Sequence, residues 1–310
     1  MTITKEIFAS TGVGGIISGD ILVKDYSVAL TKTGKEYIVG TLQAGEVIQF
    51  KAWGNSSAFS KFKNQSLSGC IMNITGTKDG YGGTDSIVIE GISESQETDI
   101  SKFLEDVYDI DTYWRSLINL VKDNVSMKGF ALANKILFEN TELKDRFCIE
   151  FAAMYHHDNV KAGLLAHTYK VVYLSVVLLG LYPALTYKEG IKDIIVLGAL
   201  FHDIGKTAEM YLGTYTEDAI VTHRYLGIEM LDRDAIVEAY GEHGWFEFVS
   251  IMLQHHGSYD DKCRTIASYI VHVADLVDSR VMSVATDVKK LAGTDTKGKR
   301  VSIDDYKLSL

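Results

Sequence analysis

Histidine is missing from the first 155 residues of this 310-residue chain; all nine copies fall between His156 and His272. Chemistry that depends on imidazole is therefore confined to the second half. Cysteine is scarce. Cys70, Cys148 and Cys263 lie far apart, which excludes a disulfide framework and a zinc-finger spacing and leaves free thiols. Long apolar runs are absent as well: the longest, Val171 to Leu185, is interrupted by Ser175, Gly180 and Pro183. It falls short of the ~20 residues that span a bilayer, so neither a membrane helix nor a membrane partner is expected. The opening Met1-Thr2-Ile3-Thr4-Lys5-Glu6 has no basic segment followed by an apolar core. No signal peptide is read, and the expected location is cytoplasmic. Internal repeats and low-complexity segments are absent too.

Basic residues are in deficit, with a net charge of −10. That argues at first sight against a polyanionic substrate. The deficit is local, however: residues 1–93 hold eight lysines and eight acids, whereas residues 94–310 hold 23 basic and 33 acidic side chains. An acidic region that carries metal ions can still bind phosphate, because the ions are the largest charges nearby.

Two textures divide the chain. Short β-strands separated by turn residues run from Gly19 to about Ile92: Asp20 to Asp25, Glu36 to Leu42, Val47 to Trp53, Ser68 to Ile74 and Ser86 to Glu90. Five such strands predict a small β-barrel. The glycine clusters Thr11 to Gly15 and Gly80 to Gly83 read as a loop and a hairpin turn, since neither links a strand to a helix as a phosphate cradle would. Past residue 98 the apolar period becomes helical, beginning with Tyr113, Trp114, Leu117, Ile118 and Val121. Leu164 to Leu181 and Ile194 to Phe201 are apolar on nearly all sides, which predicts buried helices of an all-α bundle. Gly205 and Gly257 are expected to be helix C-terminal glycines, which would place the pairs ahead of them at helix ends around a common cavity.

The densest chemical signal is His202-Asp203, with His167 thirty-five residues before His202 and His223 twenty after Asp203. His255-His256 and Asp275 complete the series. Any one histidine alone reads as an ordinary core or surface residue, but the ordered set of imidazoles and carboxylates suits a divalent transition metal such as manganese, iron or zinc. One aspartate can bridge two such ions.

Several segments resemble the HD-domain phosphohydrolases, and more closely the YhaM-type 3′-5′ exoribonucleases, which join an N-terminal OB-fold to a C-terminal HD domain. They are Ala162 to Thr168, Gly198 to Lys206, Tyr215-Thr216, Leu253 to Gly257 and Val271 to Asp275, with His156-His157 ahead of the first; Thr33 to Tyr37 and Phe50 to Trp53 resemble the OB-fold. Ala166 departs from the family, which tends to have a glutamate there. Ser258 to Lys262 replaces a longer Gly-Ser-Pro loop. The implied architecture is multidomain α and β: a small OB-fold barrel that binds nucleic acid at 1–98, a helical linker at 99–145, an all-α HD-domain bundle at 146–285 and a C-terminal tail at 286–310.

The resemblance also implies site roles. His167, His202, Asp203 and Asp275 would hold one metal ion, and Asp203 would bridge to a second held by His223 with His255 or His256, His255 being favoured. Asp278, one helical turn from Asp275, competes for the last place. Catalysis would fall to Asp203 and to Lys206, placed to neutralise a phosphate oxygen. The expected cofactors are two divalent ions, Mn²⁺ before Fe²⁺, Mg²⁺ or Zn²⁺. The expected activity is 3′-5′ hydrolysis of single-stranded RNA, preferred over DNA, to nucleoside 5′-monophosphates. Tyr37, Phe50, Trp53, Lys35 and Lys51 would grip the strand, with Tyr26 and Lys24 as further candidates. Two alternatives remain: an HD phosphohydrolase of a small nucleotide, cyclic nucleotide or short oligonucleotide, and a nucleic-acid-binding protein with a non-catalytic HD domain. A homo-oligomer is a further expectation.

Overall fold

The computed structural model describes residues 1–80, 85–153, 160–259, 261–291, 300–303 and 306–309. His156-His157, most of the turn at Gly80 to Gly83, and Asp260 in the Ser258 to Lys262 loop lie outside these residues. The chain divides into two compact units, Met1–Asp106 and Val107–Leu310.

In the first unit a short helix, α1 (Lys5–Ser10), precedes β1 (Ile16–Leu30), β2 (Glu36–Gln43) and β3 (Val47–Trp53). Then come α2 (Ser57–Asn64), β4 (Ile71–Asp79) and β5 (Ser86–Glu94). The strands close into a barrel in the order β1-β2-β3-β5-β4, with β4 paired back to β1 and only β3 and β5 parallel. Alternation along each strand sends one set of side chains inward. Ile38 and Leu42 of β2 and Ile48, Phe50 and Ala52 of β3 are buried in the barrel core, with Phe59 and Phe62 of α2 packed beside them. Neither short helix was legible in the strand pattern, although Thr4 and Ser56 cap them through their hydroxyls.

The barrel unit runs to Asp106, beyond the expected boundary near 98. A single helical turn at Ile100–Phe103 holds the extra segment: Phe103 is fully buried, its carbonyl accepts the Gly45 N–H at 2.6 Å, and Lys5 pairs with Glu105 at 3.1 Å.

In the second unit α3 (Ile110–Asn124), α4 (Met127–Ala133) and α5 (Thr141–Ile149) precede α6 (Gly163–Leu181) and α7 (Ile191–Phe201). A short α8 (Lys206–Glu209) leads into the two-residue strands β6 (Met210–Tyr211) and β7 (Thr214–Tyr215). Then follow α9 (His223–Met230), α10 (Arg233–Gln254, broken at Gly241), α11 (Ile266–Leu291) and a hairpin of β8 (Arg300–Ile303) and β9 (Tyr306–Ser309). The 99–145 segment is therefore not a linker: Trp114, Leu117, Val121, Leu132 and Phe147 belong to the same core as α6 and α7. The expected tail also differs, since α11 runs to Leu291 and a hairpin follows.

α7 is buried almost throughout, because ten of its eleven residues lack significant solvent contact. At roughly 1.5–3 kcal/mol for each large apolar side chain, it is a rigid base for whatever follows Phe201. α6 is less enclosed than expected, because Tyr173, Val177 and Leu181 are exposed on its second half. Among the described residues it is also the one helix long and apolar enough, by length and composition alone, to cross a bilayer, as buried core helices can be. The interrupted run at Val171 begins too late to reveal it, since the helix starts at Gly163. Half of its apolar window is buried in protein, and His167 sits inside it with 1% exposure.

Candidate metal centre

Five helices converge on one place. His167 lies on α6, His202 and Asp203 follow α7 directly, His223 opens α9, His255 and His256 follow α10, and Asp275 and Asp278 lie one turn apart on α11. The approach of α9 explains Gly205. Its φ of −65° is right-handed, so it is not the left-handed C-terminal glycine expected, whereas Gly257 with φ +63° does take that conformation. A Cβ on Gly205 would lie 1.9 Å from the His223 carbonyl oxygen and 2.5 Å from the Gly227 nitrogen. The bare backbone lets α9 press against the turn that carries Asp203.

Each of four imidazoles is oriented by its Nδ1. His202 Nδ1 donates to the Ala199 carbonyl at 2.8 Å and His255 Nδ1 to the Ile251 carbonyl at 3.3 Å. His223 Nδ1 donates to Glu209 Oε2 at 3.0 Å, while the other Glu209 oxygen accepts the His223 backbone N–H at 3.0 Å. His167 Nδ1 donates to Asp278 Oδ2 at 2.7 Å, and Lys170 holds the other Asp278 oxygen at 3.0 Å. These contacts fix the tautomer and turn every Nε2 inward, as outer partners of metal-binding histidines do.

The inward atoms form two groups, one around each oxygen of Asp203. Oδ2 lies 3.5 Å from His167 Nε2 and 3.3 Å from His202 Nε2, and Asp275 Oδ1 stands 3.3 Å from His167 Nε2. Oδ1 lies 3.5 Å from both His223 Nε2 and His255 Nε2. The His256 ring is 4.2 Å from that of His255 and 5.1 Å from that of His223. Thus all seven metal-ligating residues expected from the sequence come together, in the sets His167, His202, Asp275 and Asp203, His223, His255, His256.

The centre leaves polar atoms unanswered. Asp203 Oδ1, His223 Nε2 and His255 Nε2 are buried without a hydrogen-bond partner, at roughly 1–3 kcal/mol for each such atom. They converge on one another, and a divalent cation would satisfy all three. The donor set of nitrogen and carboxylate oxygen fits such an ion.

The electrostatics agree. Burial acts to raise the Asp203 carboxyl, but the Lys206 ammonium and His202 outweigh it and hold the group well below the usual carboxylate range. Asp275 is also held low against burial, chiefly by His167. Burial acts to lower His167, yet its hydrogen bonds to Asp275 and Asp278 bring it up to about 9. A field that favours a proton among these carboxylates also favours a metal cation. His255 is pushed down to about 3 by burial, so at neutral pH its ring is neutral, with the one proton on Nδ1 and Nε2 bare.

A cavity of about 550 Å³ opens onto the centre, with Lys206, Tyr215, His272, Ser279 and Arg280 among its walls. Lys206 Nζ is 2.6 Å from Asp203 Oδ2, on the wall of the same cavity. Glu209, Lys170 and Arg280 carry no spacing signal in the sequence. Asp278, a competing ligand by helical spacing, lies instead behind His167 on the Nδ1 side.

The HD domain family matches residues 164–280, the stretch that runs from α6 into α11 and holds every one of these ligands. Over this stretch the chain is similar to HD domains. The dihydroneopterin 2′,3′-cyclic phosphate phosphodiesterase of Methanocaldococcus jannaschii is 30% identical over 149 residues, which cover 46% of this chain. The match spans 57% of that protein's length. For the other unit, the second OB-fold domain of replication protein A from Methanococcus maripaludis aligns over 29% of this chain and 90% of that one, at 13% identity and a TM-score of 0.21. The OB-like character of the barrel rests on its own closed strand order.

The barrel corrects one expected nucleic-acid contact. Phe50 is fully buried and stacks on Phe62 at 5.0 Å, because it shares the inward phase of Ile48 and Ala52. Tyr37 and Trp53 take the opposite phase, face each other across β2 and β3 with ring centres 5.0 Å apart, and leave Trp53 exposed. Lys35 borders the same surface depression as Trp53, and Lys51 lies 3.9 Å from Asp79. Tyr26 braces the barrel instead, because its hydroxyl donates to the Gln65 carbonyl and accepts the Leu67 N–H.

Proposed function

We propose that this protein is a metal-dependent phosphodiesterase, and within that class a 3′-5′ exoribonuclease that shortens single-stranded RNA to nucleoside 5′-monophosphates. The observation that carries the reading is Asp203, whose two oxygens each face a separate group of inward-turned ligands beside an open cavity. Two divalent ions, Mn²⁺ for preference, would be held by His167, His202 and Asp275 on one side and by His223, His255 and His256 on the other, with Asp203 between them. When bound, such a pair supplies a water nucleophile at neutral pH and charge compensation for in-line displacement at phosphorus.

The protein's own groups have distinct roles. Glu209 and Asp278 hold the rings of His223 and His167 so that the reacting geometry is set before substrate arrives. Lys206 is positioned to exchange part of its contact with Asp203 for a phosphate oxygen. Its ammonium then offsets charge that develops there. On the barrel, Tyr37, Trp53 and Lys35 would hold unpaired bases and the backbone of the upstream strand.

The second reading is hydrolysis of a small cyclic or linear nucleotide phosphodiester. It is favoured by the relative that acts on a 2′,3′-cyclic phosphate, although the match spans 57% of that protein's length. Purified protein with Mn²⁺, given end-labelled RNA and DNA and a panel of cyclic and linear nucleotides, separates them. A ladder of shortened RNA with 5′-monophosphate products supports the exonuclease; untouched RNA with hydrolysed small diesters selects the second reading. Hydrolysis of neither class removes both.

A further inference from the structure

The segment between Asp203 and His223 spends many polar contacts on a very small hairpin. β6 and β7 pair Met210 with Tyr215 and Tyr211 with Thr214, around a two-residue turn at Leu212-Gly213. Both turn residues have positive φ, +49° and +75°, as a type I′ turn requires. Leucine is strained in that conformation, and strain persists only where the surroundings impose it. Here Glu150 imposes it. Its fully buried carboxylate accepts the backbone N–H groups of Leu212 and Gly213, both at 2.9 Å, and that of Phe151 at 2.9 Å. A Cβ on Gly213 would lie 2.5 Å from the Phe151 ring, so the turn is also packed tightly. Arg146 adds contacts to the Thr207 and Met210 carbonyls at 2.6 and 2.9 Å.

Strand alternation then decides what the hairpin presents. Tyr211 faces the Arg146 guanidinium at 5.0 Å, whereas Met210 and Tyr215, on the opposite phase, line the cavity over the metal centre. Met210 is 2% exposed and forms part of the floor; Tyr215 is 57% exposed and stands at the mouth. An aromatic ring fixed at a cavity mouth with most of its surface open is suited to stacking against another flat ring.

We propose that Tyr215 is the platform for the nucleobase adjoining the scissile phosphate, and that Glu150 is the residue that positions it through the Leu212-Gly213 turn. This specificity role rests on the phosphodiesterase reading. The substrate class it names is a phosphodiester with a planar heteroaromatic base on the nucleotide at the metal centre.

The test compares two diesters with one leaving group, thymidine 5′-(p-nitrophenyl phosphate) and methyl p-nitrophenyl phosphate, on the full-length Mn²⁺-loaded protein. The quantity read is the ratio of their kcat/KM values. Tyr215→Leu should lower that ratio about ten-fold, mostly through KM for the thymidine substrate, while Tyr215→Phe should keep it within about two-fold. Glu150→Gln should lower the ratio in the same direction with bound Mn²⁺ unchanged. Turnover of both diesters with an unaltered ratio in Tyr215→Leu overturns the platform and leaves the phosphodiesterase standing. Wild-type protein that hydrolyses neither diester overturns the activity as well.

Discussion

At the scale of single residues, Asp203 and His167 carry the sharpest expectations. Asp203→Ala removes the carboxylate shared by both ligand groups, so turnover should vanish while circular dichroism and melting behaviour stay near wild type. Turnover at the wild-type rate in that variant, at equal metal content, would contradict the bridging assignment. His167 governs pH dependence. Its pKa rises from the ordinary 6.5 to about 9 in the folded, metal-free protein, so its proton contributes stability that is complete below pH 6.5. That contribution is lost as pH rises through about 9. A metal ion on Nε2 must displace this proton, so Mn²⁺ affinity should tighten by about ten-fold per pH unit between 7 and 9, as read by titration calorimetry. A flat affinity over that window would mean that His167 does not ligate. The histidine ligands were legible because they are rare, ordered and confined to one half of the chain. Glu209 and Asp278 were not legible as outer partners, since each is one of 41 acidic residues and its role arises only when α8 meets α9 or α11 meets α6.

At the scale of elements, the site depends on α9 lying against the turn after α7. Gly205→Ala should displace α9 and cost about 1–3 kcal/mol in urea unfolding, with a larger loss of turnover than of stability because His223 moves with the helix. Unchanged turnover would show that the close approach is dispensable. On the barrel, two aromatics three residues apart should behave in opposite ways. Phe50→Ala should cost about 3–5 kcal/mol of stability as a core deletion, whereas Trp53→Ala should leave stability nearly intact and weaken single-stranded RNA binding by about 1–3 kcal/mol. All five strands could be read from alternation and turn residues, and even Phe50 could have been placed inside by its phase with Ile48 and Ala52. α1 and α2 could not, because six or eight residues hold barely two helical turns, and neither could the β6–β7 hairpin, whose strands are two residues each.

For the whole molecule, the sequence revealed the change from barrel to helical bundle but misjudged where each unit ends. Phe103 and the helices α3 to α5 are apolar at intervals that say a face is buried, without saying against which core. The two-unit plan gives a functional expectation: if the barrel grips RNA, removing residues 1–106 should weaken cleavage of long strands far more than cleavage of a dinucleotide. Equal losses would deprive the barrel of that role. Everything else depends on whether the HD domain uses a pair of ions to cleave phosphodiesters. The direct measurement is the initial rate of bis(p-nitrophenyl) phosphate hydrolysis by metal-free protein as Mn²⁺ is added back. The expected curve climbs to a plateau at about two ions per chain, as a bridged pair requires; a rate that stays at the uncatalysed level at every ratio would contradict the account.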